Sequence, residues 1–126
     1  MKERTNDVFD ENDERAVRLF SDLGMPRNLA KTLMYICQVN ECRSTDIEQG
    51  ADLRQPEVSV AMQQLRKRGW VTKKDLKKKG KGRPVHVYQP TTSLDDILSS
   101  FEEEKMQEMK SIKTNITELR DTIKGI

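Results

Sequence analysis

The sequence predicts a mainly α-helical fold with one small β-hairpin, an α+β arrangement within 126 residues. Apolar residues recur at helical spacing in four segments before residue 69, and two short strand-like runs separated by glycines follow. From Leu94 to the end there is no proline, and the one glycine is Gly125, which predicts a single long helix. Because 34% of the residues are apolar, the chain can supply one modest core and not two.

The first two helices are predicted from the spacing of their apolar residues and from the residues that end them. Residues 1–12 are mostly polar and are expected to form a flexible N-terminus. From residue 13 to Gly24, one helical face collects four apolar side chains, namely Ala16, Leu19, Phe20 and Leu23. After Pro26, a more apolar helix runs to Asn40, with one face formed by Leu29, Leu33 and either Ile36 or Cys37.

The third helix is short, and the fourth has the strongest signals. In the third, Ser44 or Thr45 can act as N-cap, and Thr45 with Glu48 fits a capping-box pattern. The fourth spans residues 55–68, with Pro56 in its first turn and Gly69 as its C-terminal cap. Its predicted core residues are Val58, Ala61, Met62 and Leu65.

Two strands, residues 70–76 and 84–89, are predicted after the fourth helix. The sequence "KKKGKGR" between them, residues 77–83, is too long for a tight hairpin turn. It therefore predicts a hairpin with a basic, glycine-containing loop at its tip.

The last helix is predicted to span residues 93–126, with Ser93 and Asp96 as a capping box. Its apolar residues alternate spacings of three and four, which is typical of a coiled-coil seam. The candidate dimerisation residues are Ile97, Phe101, Met109, Ile112, Ile116, Leu119 and Ile123. Such a helix has too little apolar surface to form its own core, so its stripe needs a partner. A second copy of the chain is the simplest one, and another protein is the alternative.

The predicted order is a set of helices, the last two separated by a turn, and then a β-hairpin. This is the order of a winged helix-turn-helix domain, here residues 13–90. The stretch "STDIEQGADLRQPEVSVAMQQLRKRGWV" resembles the helix-turn-helix of MarR-like, ArsR-like and TrmB-like transcription regulators. "LRQPEVSVAM" with "GKGRPVHVY" is similar in particular to small archaeal regulators of this superfamily. The resemblance covers roughly residues 27–90. Asp52 stands where such proteins usually have a turn glycine, and Val60 where many have arginine.

Charge is concentrated in one segment although the formal net charge of the chain is only +2. Residues 54–89 contain eleven basic and two acidic residues, a net +9, and the segments on both sides are net acidic. This distribution indicates that one face meets a polyanion.

In this architecture the fourth helix enters the DNA major groove, which implies contacts from its outward positions. The candidate DNA-contacting residues of this helix are Gln55, Pro56, Glu57, Ser59, Val60, Gln63, Gln64 and Lys67. Glutamine can bond adenine through two hydrogen bonds, glutamate can accept from cytosine, and valine can contact a thymine methyl group. Ser44, Thr45 and Arg54 are expected to hold phosphates. The alternative is an ordinary amphipathic helix with a solvated polar face.

In the basic loop, Lys77, Lys78, Lys79 and Lys81 offer charge along a phosphate track, and Gly82 permits close backbone approach. Arg83 is the sharpest candidate, because "KGRP" resembles the core of an AT-hook, whose arginine lies in a narrow minor groove. The alternative is a lysine loop that only keeps an edge hairpin from aggregating.

Other functions find little support in the sequence. No apolar run has the length of a membrane span, so a cytoplasmic protein is expected. His86 is the only histidine, so neither a zinc site nor a catalytic triad is predicted, nor any other cofactor or enzymatic activity. Cys37 is expected to be buried and Cys42, in a loop, to be exposed. A redox switch involving these two cysteines is an alternative.

The sequence therefore predicts a homodimeric regulator that binds specific sequences of double-stranded DNA. It does not identify an effector, an operator or the sign of regulation. Two other hypotheses stay open: a winged-helix protein-interaction module of a transcription or replication assembly, and an architectural binder with purely electrostatic DNA contacts.

Overall fold

A computed structural model describes residues 10–76 and 85–126. In chain order the elements are α1 (Glu11–Asp22), α2 (Arg27–Val39), α3 (Ser44–Gly50), α4 (Gln55–Lys67), β1 (Val71–Leu76), β2 (Val85–Pro90) and α5 (Leu94–Lys124). The chain divides into two compact units, Met1–Thr91 and Thr92–Ile126. The order of elements confirms the predicted α+β fold, in which a helix-turn-helix precedes a β-hairpin.

The core of the first unit is built around α2, which packs against α1, α3, α4 and β2. Leu33 and Ile36 of α2 are fully buried, and so is Leu65 of α4. Burying each such side chain stabilises the fold by about 1.5–3 kcal/mol. The predicted core face of α4 is confirmed in full, since Val58, Ala61, Met62 and Leu65 are its buried residues.

The predicted inner face of α1 is partly wrong. Val17 and Phe20 are buried, whereas Leu19 and Leu23 are about half exposed. The helix also begins at Glu11, before the predicted residue 13.

Hydrogen bonds of Asp13 account for both differences in α1. The Asp10 carboxylate accepts a hydrogen bond from the Asp13 N–H (2.8 Å), and the Asp13 carboxylate accepts one from the Asp10 N–H (3.1 Å). This capping box starts the helix early. The same Asp13 carboxylate accepts a bond from the Gln38 side chain of α2 (2.6 Å), which turns the Asp13 side of α1 toward α2.

The turn between α3 and α4 contains Asp52 at the position where the sequence resemblance implies a glycine. Asp52 takes a left-handed backbone conformation (φ 56°), which aspartate tolerates better than most residues. The start of α3 differs from the prediction. Its N-cap is Arg43, and the Asp46 carboxylate accepts a bond from the Arg43 N–H (2.9 Å), so the Thr45–Glu48 capping box is wrong.

The hairpin is antiparallel, and its register pairs Val71 with Pro90 and Leu76 with Val85. The first strand begins one residue later than predicted, and Pro84, the predicted first residue of the second strand, lies outside the described residues. A further bridge joins Cys42 to Tyr88, where each backbone N–H donates to the other residue's carbonyl (3.0 and 2.7 Å). The segment before α3 thus extends the sheet along β2, which buries Cys42, contrary to the expected exposure.

The second unit contains α5, a helix of 31 residues. Ser93 is its N-cap and accepts a hydrogen bond from the Asp96 N–H (3.1 Å). The Asp96 carboxylate accepts a bond from the Thr92 hydroxyl (2.7 Å). Among the described residues, no helix combines the length and the apolar character that crossing a bilayer requires.

Candidate nucleic-acid interface

The outward face of α4 is mostly polar and lies opposite an apolar inner face. The four core residues recur at spacings of three, one and three, so all of them lie on one side of the helix. The exposed candidates are Gln55, Pro56, Ser59, Val60, Gln63, Gln64 and Lys67. Within the described part of the chain, the side-chain amides of Gln63 and Gln64 have no hydrogen-bond partner. They can therefore accept hydrogen bonds from an external ligand, such as a base edge, and donate hydrogen bonds to it.

Glu57 has a structural role that the sequence interpretation did not include. Its carboxylate accepts a hydrogen bond from the Arg54 N–H (2.8 Å), and the residue is half-buried. This bond satisfies one of the unpaired amides at the start of α4. Because one carboxylate oxygen is already used in this way, Glu57 is less free to accept from cytosine than the sequence suggested.

The candidate phosphate-binding residues flank the two helices of the motif. Arg54 is exposed and immediately precedes α4. Thr45 is exposed and Ser44 half-buried in the first turn of α3. These positions suit contacts from the helix starts to a DNA backbone, because helix N-termini attract anions.

An apolar groove next to α4 was not foreseen. Its volume is about 360 Å³, and it lies between α4 and the start of α2. The lining residues are Pro26, Asn28, Leu29, Pro56, Glu57, Val60, Ala61 and Gln64. Val60 is 55% exposed, so its methyl groups are accessible on the outward face of α4.

The C-terminal end of α4 adds cations that the sequence analysis left out. Gly69 takes a left-handed conformation (φ 80°), and the Trp70 N–H donates to the Leu65 carbonyl (3.1 Å). These features close the helix. The Arg68 guanidinium lies 4.8 Å from the centre of the buried Trp70 ring. Arg66 and Arg68 are exposed beside the predicted Lys67, and the run "RKR" in the basic segment was the signal that could have identified them.

The hairpin strands lead into the basic loop, residues 77–84, here called the wing. Lys77, Lys78, Lys79, Lys81, Gly82 and Arg83 lie outside the described residues, so their predicted roles stay predictions. Below the wing, Asp75 and His86 are cross-strand partners whose Oδ1 and Nδ1 atoms are 2.6 Å apart. His86 is exposed. Lys74 lies 3.6 Å from Glu41, and Lys73 is exposed on the same strand.

The two cysteines are poorly placed for redox chemistry. Burial raises the pKa of Cys37 to about 11. Burial, with the negative charges of Asp46 and Glu41, raises the pKa of Cys42 to about 12. Since the thiolate is the reactive form, both thiols are far less reactive at neutral pH than an ordinary cysteine. These values argue against the redox alternative.

The candidate dimerisation residues of α5 fall into two groups. Ile97 and Phe101 are buried and are therefore not available as an open surface. The rest lie along an exposed row, with 49–59% of each side chain accessible, formed by Met109, Ile112, Ile116, Leu119 and Ile123. Ile126 continues the row and is 97% exposed. We call these six residues the α5 stripe.

The comparisons with known proteins bear on the fold. No family model matches the sequence, and no curated protein matches it. The structure is similar to that of TrmBL2, described as an archaeal chromatin protein with a novel mode of DNA binding (TM-score 0.57, 16% identity). That similarity covers 85% of this chain and 41% of TrmBL2, so the chain spans about two fifths of that protein.

Two further structures are similar over most of this chain. NadR, solved in complex with 4-hydroxyphenylacetate, has a TM-score of 0.53 and 15% identity over 90% of this chain and 82% of NadR. A MarR family regulator from Neisseria meningitidis has a TM-score of 0.47 and 12% identity, over 90% and 96% of the two chains. At these identities the first two similarities establish the winged-helix fold, as the sequence resemblance predicted. None of the three structures is described as an enzyme.

Proposed function

We propose that the chain is a transcription regulator that binds specific sequences of double-stranded DNA as a homodimer, without enzymatic activity or a cofactor. The observation that carries this proposal is the outward face of α4. An exposed row of amide, hydroxyl and methyl groups projects from a helix whose opposite face is locked into the core. A rigid helix with free hydrogen-bonding groups is what reading base edges in a major groove requires.

In this proposal α4 supplies sequence recognition. Gln63 and Gln64 bond adenine, each with two hydrogen bonds, and Val60 contacts a thymine methyl group. Ser59 can bond either a base or a phosphate. Such a set favours mixed or AT-containing sites. A two-fold dimer then predicts a pseudo-palindromic operator with half-sites about one helical turn apart, or a multiple of it.

The basic segment supplies affinity and position. Arg54 with the starts of α3 and α4 holds phosphates, and the lysines of the wing follow the backbone. Arg83 is assigned to the minor groove beside the half-site, where AT-rich DNA presents a narrow and strongly negative groove. The net +9 of residues 54–89 supports this division of roles.

An architectural DNA binder is the second candidate, and the same concentration of charge favours it. Eleven cations in 36 residues can bind any duplex through phosphates alone. The two candidates differ in whether the α4 face discriminates between sequences.

Fluorescence anisotropy can separate these possibilities. Duplexes from the upstream region of the chain's own gene and a scrambled duplex of equal composition are titrated across a salt series. A preference that persists at physiological salt supports the regulator, and the slope of log affinity against log salt, about 0.9 per phosphate contact, counts the engaged cations. Equal binding of both duplexes with a shared loss in salt favours the architectural binder. Lack of binding to either duplex at low salt favours the protein-interaction module.

A variant of the wing tests the minor-groove assignment. Arg83→Ala should weaken binding to sites with AT-rich flanks more than to sites with GC-rich flanks. Lys79→Ala, which removes a cation from the same loop, should weaken both equally. If Arg83→Ala and Lys79→Ala behave alike, Arg83 contacts only phosphate.

A further inference from the structure

We infer that the α5 stripe pairs with the stripe of a second copy in parallel and in register, so that both winged-helix units emerge from the same end of the paired helices. This inference rests on the homodimer of the proposed function and adds its orientation. It follows from the charges that flank the stripe.

The α5 stripe fits a heptad pattern over two and a half repeats. Met109, Ile116 and Ile123 occupy the a positions, and Ile112, Leu119 and Ile126 the d positions. Continued toward the N-terminus, the pattern would put Lys105 at d and Glu102 at a. Charged residues do not suit these core positions, so the stripe starts at Met109. From there to Ile126 it is about 26 Å long at 1.5 Å per residue.

The residues beside the stripe differ in charge on its two sides. The e positions, which follow d, hold cations, Lys113 and Arg120. The g positions, which precede a, hold an anion and neutral polar residues, namely Glu108, Asn115 and Thr122. One flank of the stripe is therefore positive, and the other is neutral to negative.

Parallel and antiparallel pairs bring these flanks together differently. In a parallel pair, a g residue faces the e residue five positions later on the partner. Glu108 then meets Lys113 of the second copy twice, by symmetry, and Asn115 meets Arg120. In an antiparallel pair e faces e and g faces g, so Lys113 meets Arg120 and Glu108 meets no cation. The flank charges thus favour the parallel pair over an antiparallel pair, whatever the register of the antiparallel pair.

Glu108 is accessible for this pairing. Its carboxylate lies 3.2 Å from the Lys105 ammonium one turn earlier on the same helix, and half of its side chain is exposed. A surface pair of this kind contributes little stability, and a carboxylate can accept from two cations at once. The contact with Lys105 therefore does not prevent one with Lys113 of the second copy.

Orientation sets the distance between the two Leu94 residues, close to the points where the DNA-binding units join the paired helices. In a parallel pair the two Leu94 residues lie at the same end of the paired helices. In an antiparallel pair they are separated by the stripe and by the 15 residues before it on each helix, about 70 Å in total. The parallel pair is therefore compatible with half-sites one helical turn apart, about 34–36 Å.

Engineered cysteines test the orientation directly in the full-length chain. In a parallel pair, Ile123→Cys lies beside its counterpart and should form a disulfide-linked dimer on mild oxidation. In an antiparallel pair, residue 123 faces residue 112 and lies about 16 Å from its counterpart. Ile123→Cys alone would then stay unlinked, and a mixture with Ile112→Cys would give the mixed dimer. The chain with only Cys37 and Cys42 controls for links through native thiols.

Charge reversal gives a second test with opposite signs for the two orientations. For a parallel pair, Lys113→Glu should raise the dimer dissociation constant by roughly 3- to 10-fold, because two attractive contacts become repulsive. Adding Glu108→Lys should restore it. For an antiparallel pair, Lys113→Glu should lower the constant, because it removes repulsion from Arg120. Sedimentation equilibrium measures these changes.

Failure of the orientation differs from failure of the proposed function. A dimer that binds its operator but links residue 112 to 123 overturns the parallel pairing alone. A chain that stays monomeric in sedimentation overturns the pairing whatever its DNA binding. A parallel dimer without sequence preference in the anisotropy assay overturns the regulator and leaves the pairing intact.

Discussion

Helices α4 and α5 are both amphipathic, yet only α4 covers its apolar row within the described chain. The four core residues of α4 are buried, Leu65 completely, whereas Leu119 of α5 is 59% exposed. Helical spacing is equally clear in both. An amphipathic pattern therefore identifies the face that needs a partner and does not say whether the partner belongs to the same chain.

The polar faces of the two helices differ as well. On α4, amides and a hydroxyl face outward without intramolecular partners among the described residues. On α5, several polar groups bond within the helix, such as Gln107 to Glu103 (3.0 Å). This difference is consistent with the proposed roles, external polar recognition by α4 and external apolar pairing by α5.

The largest expected effect comes from truncating the same residue type on the two helices. Leu65→Ala should lower the free energy of unfolding by about 2–5 kcal/mol, because it opens a cavity in a closed core. Leu119→Ala should change the free energy of unfolding of the dilute monomer by less than about 0.5 kcal/mol. It should also weaken self-association. Urea unfolding at two protein concentrations measures both. Equal losses in the dilute protein would contradict the contrast between the helices.

The packing that positions α4 can be tested at Gly50. A Cβ added there would overlap a ring carbon of Tyr35, so the ring must move. Gly50→Ala should lower the free energy of unfolding by about 1–3 kcal/mol. In a Tyr35→Ala background the same change should cost clearly less, because the ring is gone. A cost that is unchanged in this background would show that the ring is not the obstacle.

Matched glutamine variants separate the two polar faces. Gln63→Ala should reduce discrimination between operator and altered duplexes by about 1–3 kcal/mol. Gln107→Ala on α5 should leave discrimination unchanged, and both should leave the free energy of unfolding within about 0.5 kcal/mol. Competition anisotropy measures the first quantity and urea unfolding the second. Loss of discrimination in both variants would contradict the assignment to α4.

The smallest effect concerns alkaline pH. Because the pKa of Cys42 is raised from 9.0 to about 12, the folded thiol stays protonated where the unfolded one ionises. Its contribution to stability is fully present below pH 9 and declines as pH rises toward 12. Between pH 8 and 10 the free energy of unfolding should fall by roughly 1 kcal/mol through this group. In Cys42→Ala the free energy of unfolding should decline less steeply with pH than in the unaltered chain. Equal slopes in the two proteins would contradict the effect of burial on Cys42.

Much of the fold and of the α4 face was predictable from local sequence. Pro56, Gly69 and the four core residues of α4 lie within fifteen positions of one another, so helical periodicity and capping were sufficient. The exposed row on α5 followed from the same periodicity. The candidate residues of the wing stay predictions, as do the DNA contacts of α4.

Contacts between distant segments decided the rest. The inner face of α1 depends on Asp13 meeting Gln38, and the burial of Cys42 depends on its bridge to Tyr88. Neither pairing has a local signal. A residue's spacing along a helix determines which neighbours share its face, because that is set by backbone geometry. Which face turns inward is set by the free energy of contacts made across the chain, and only the tertiary structure contains them.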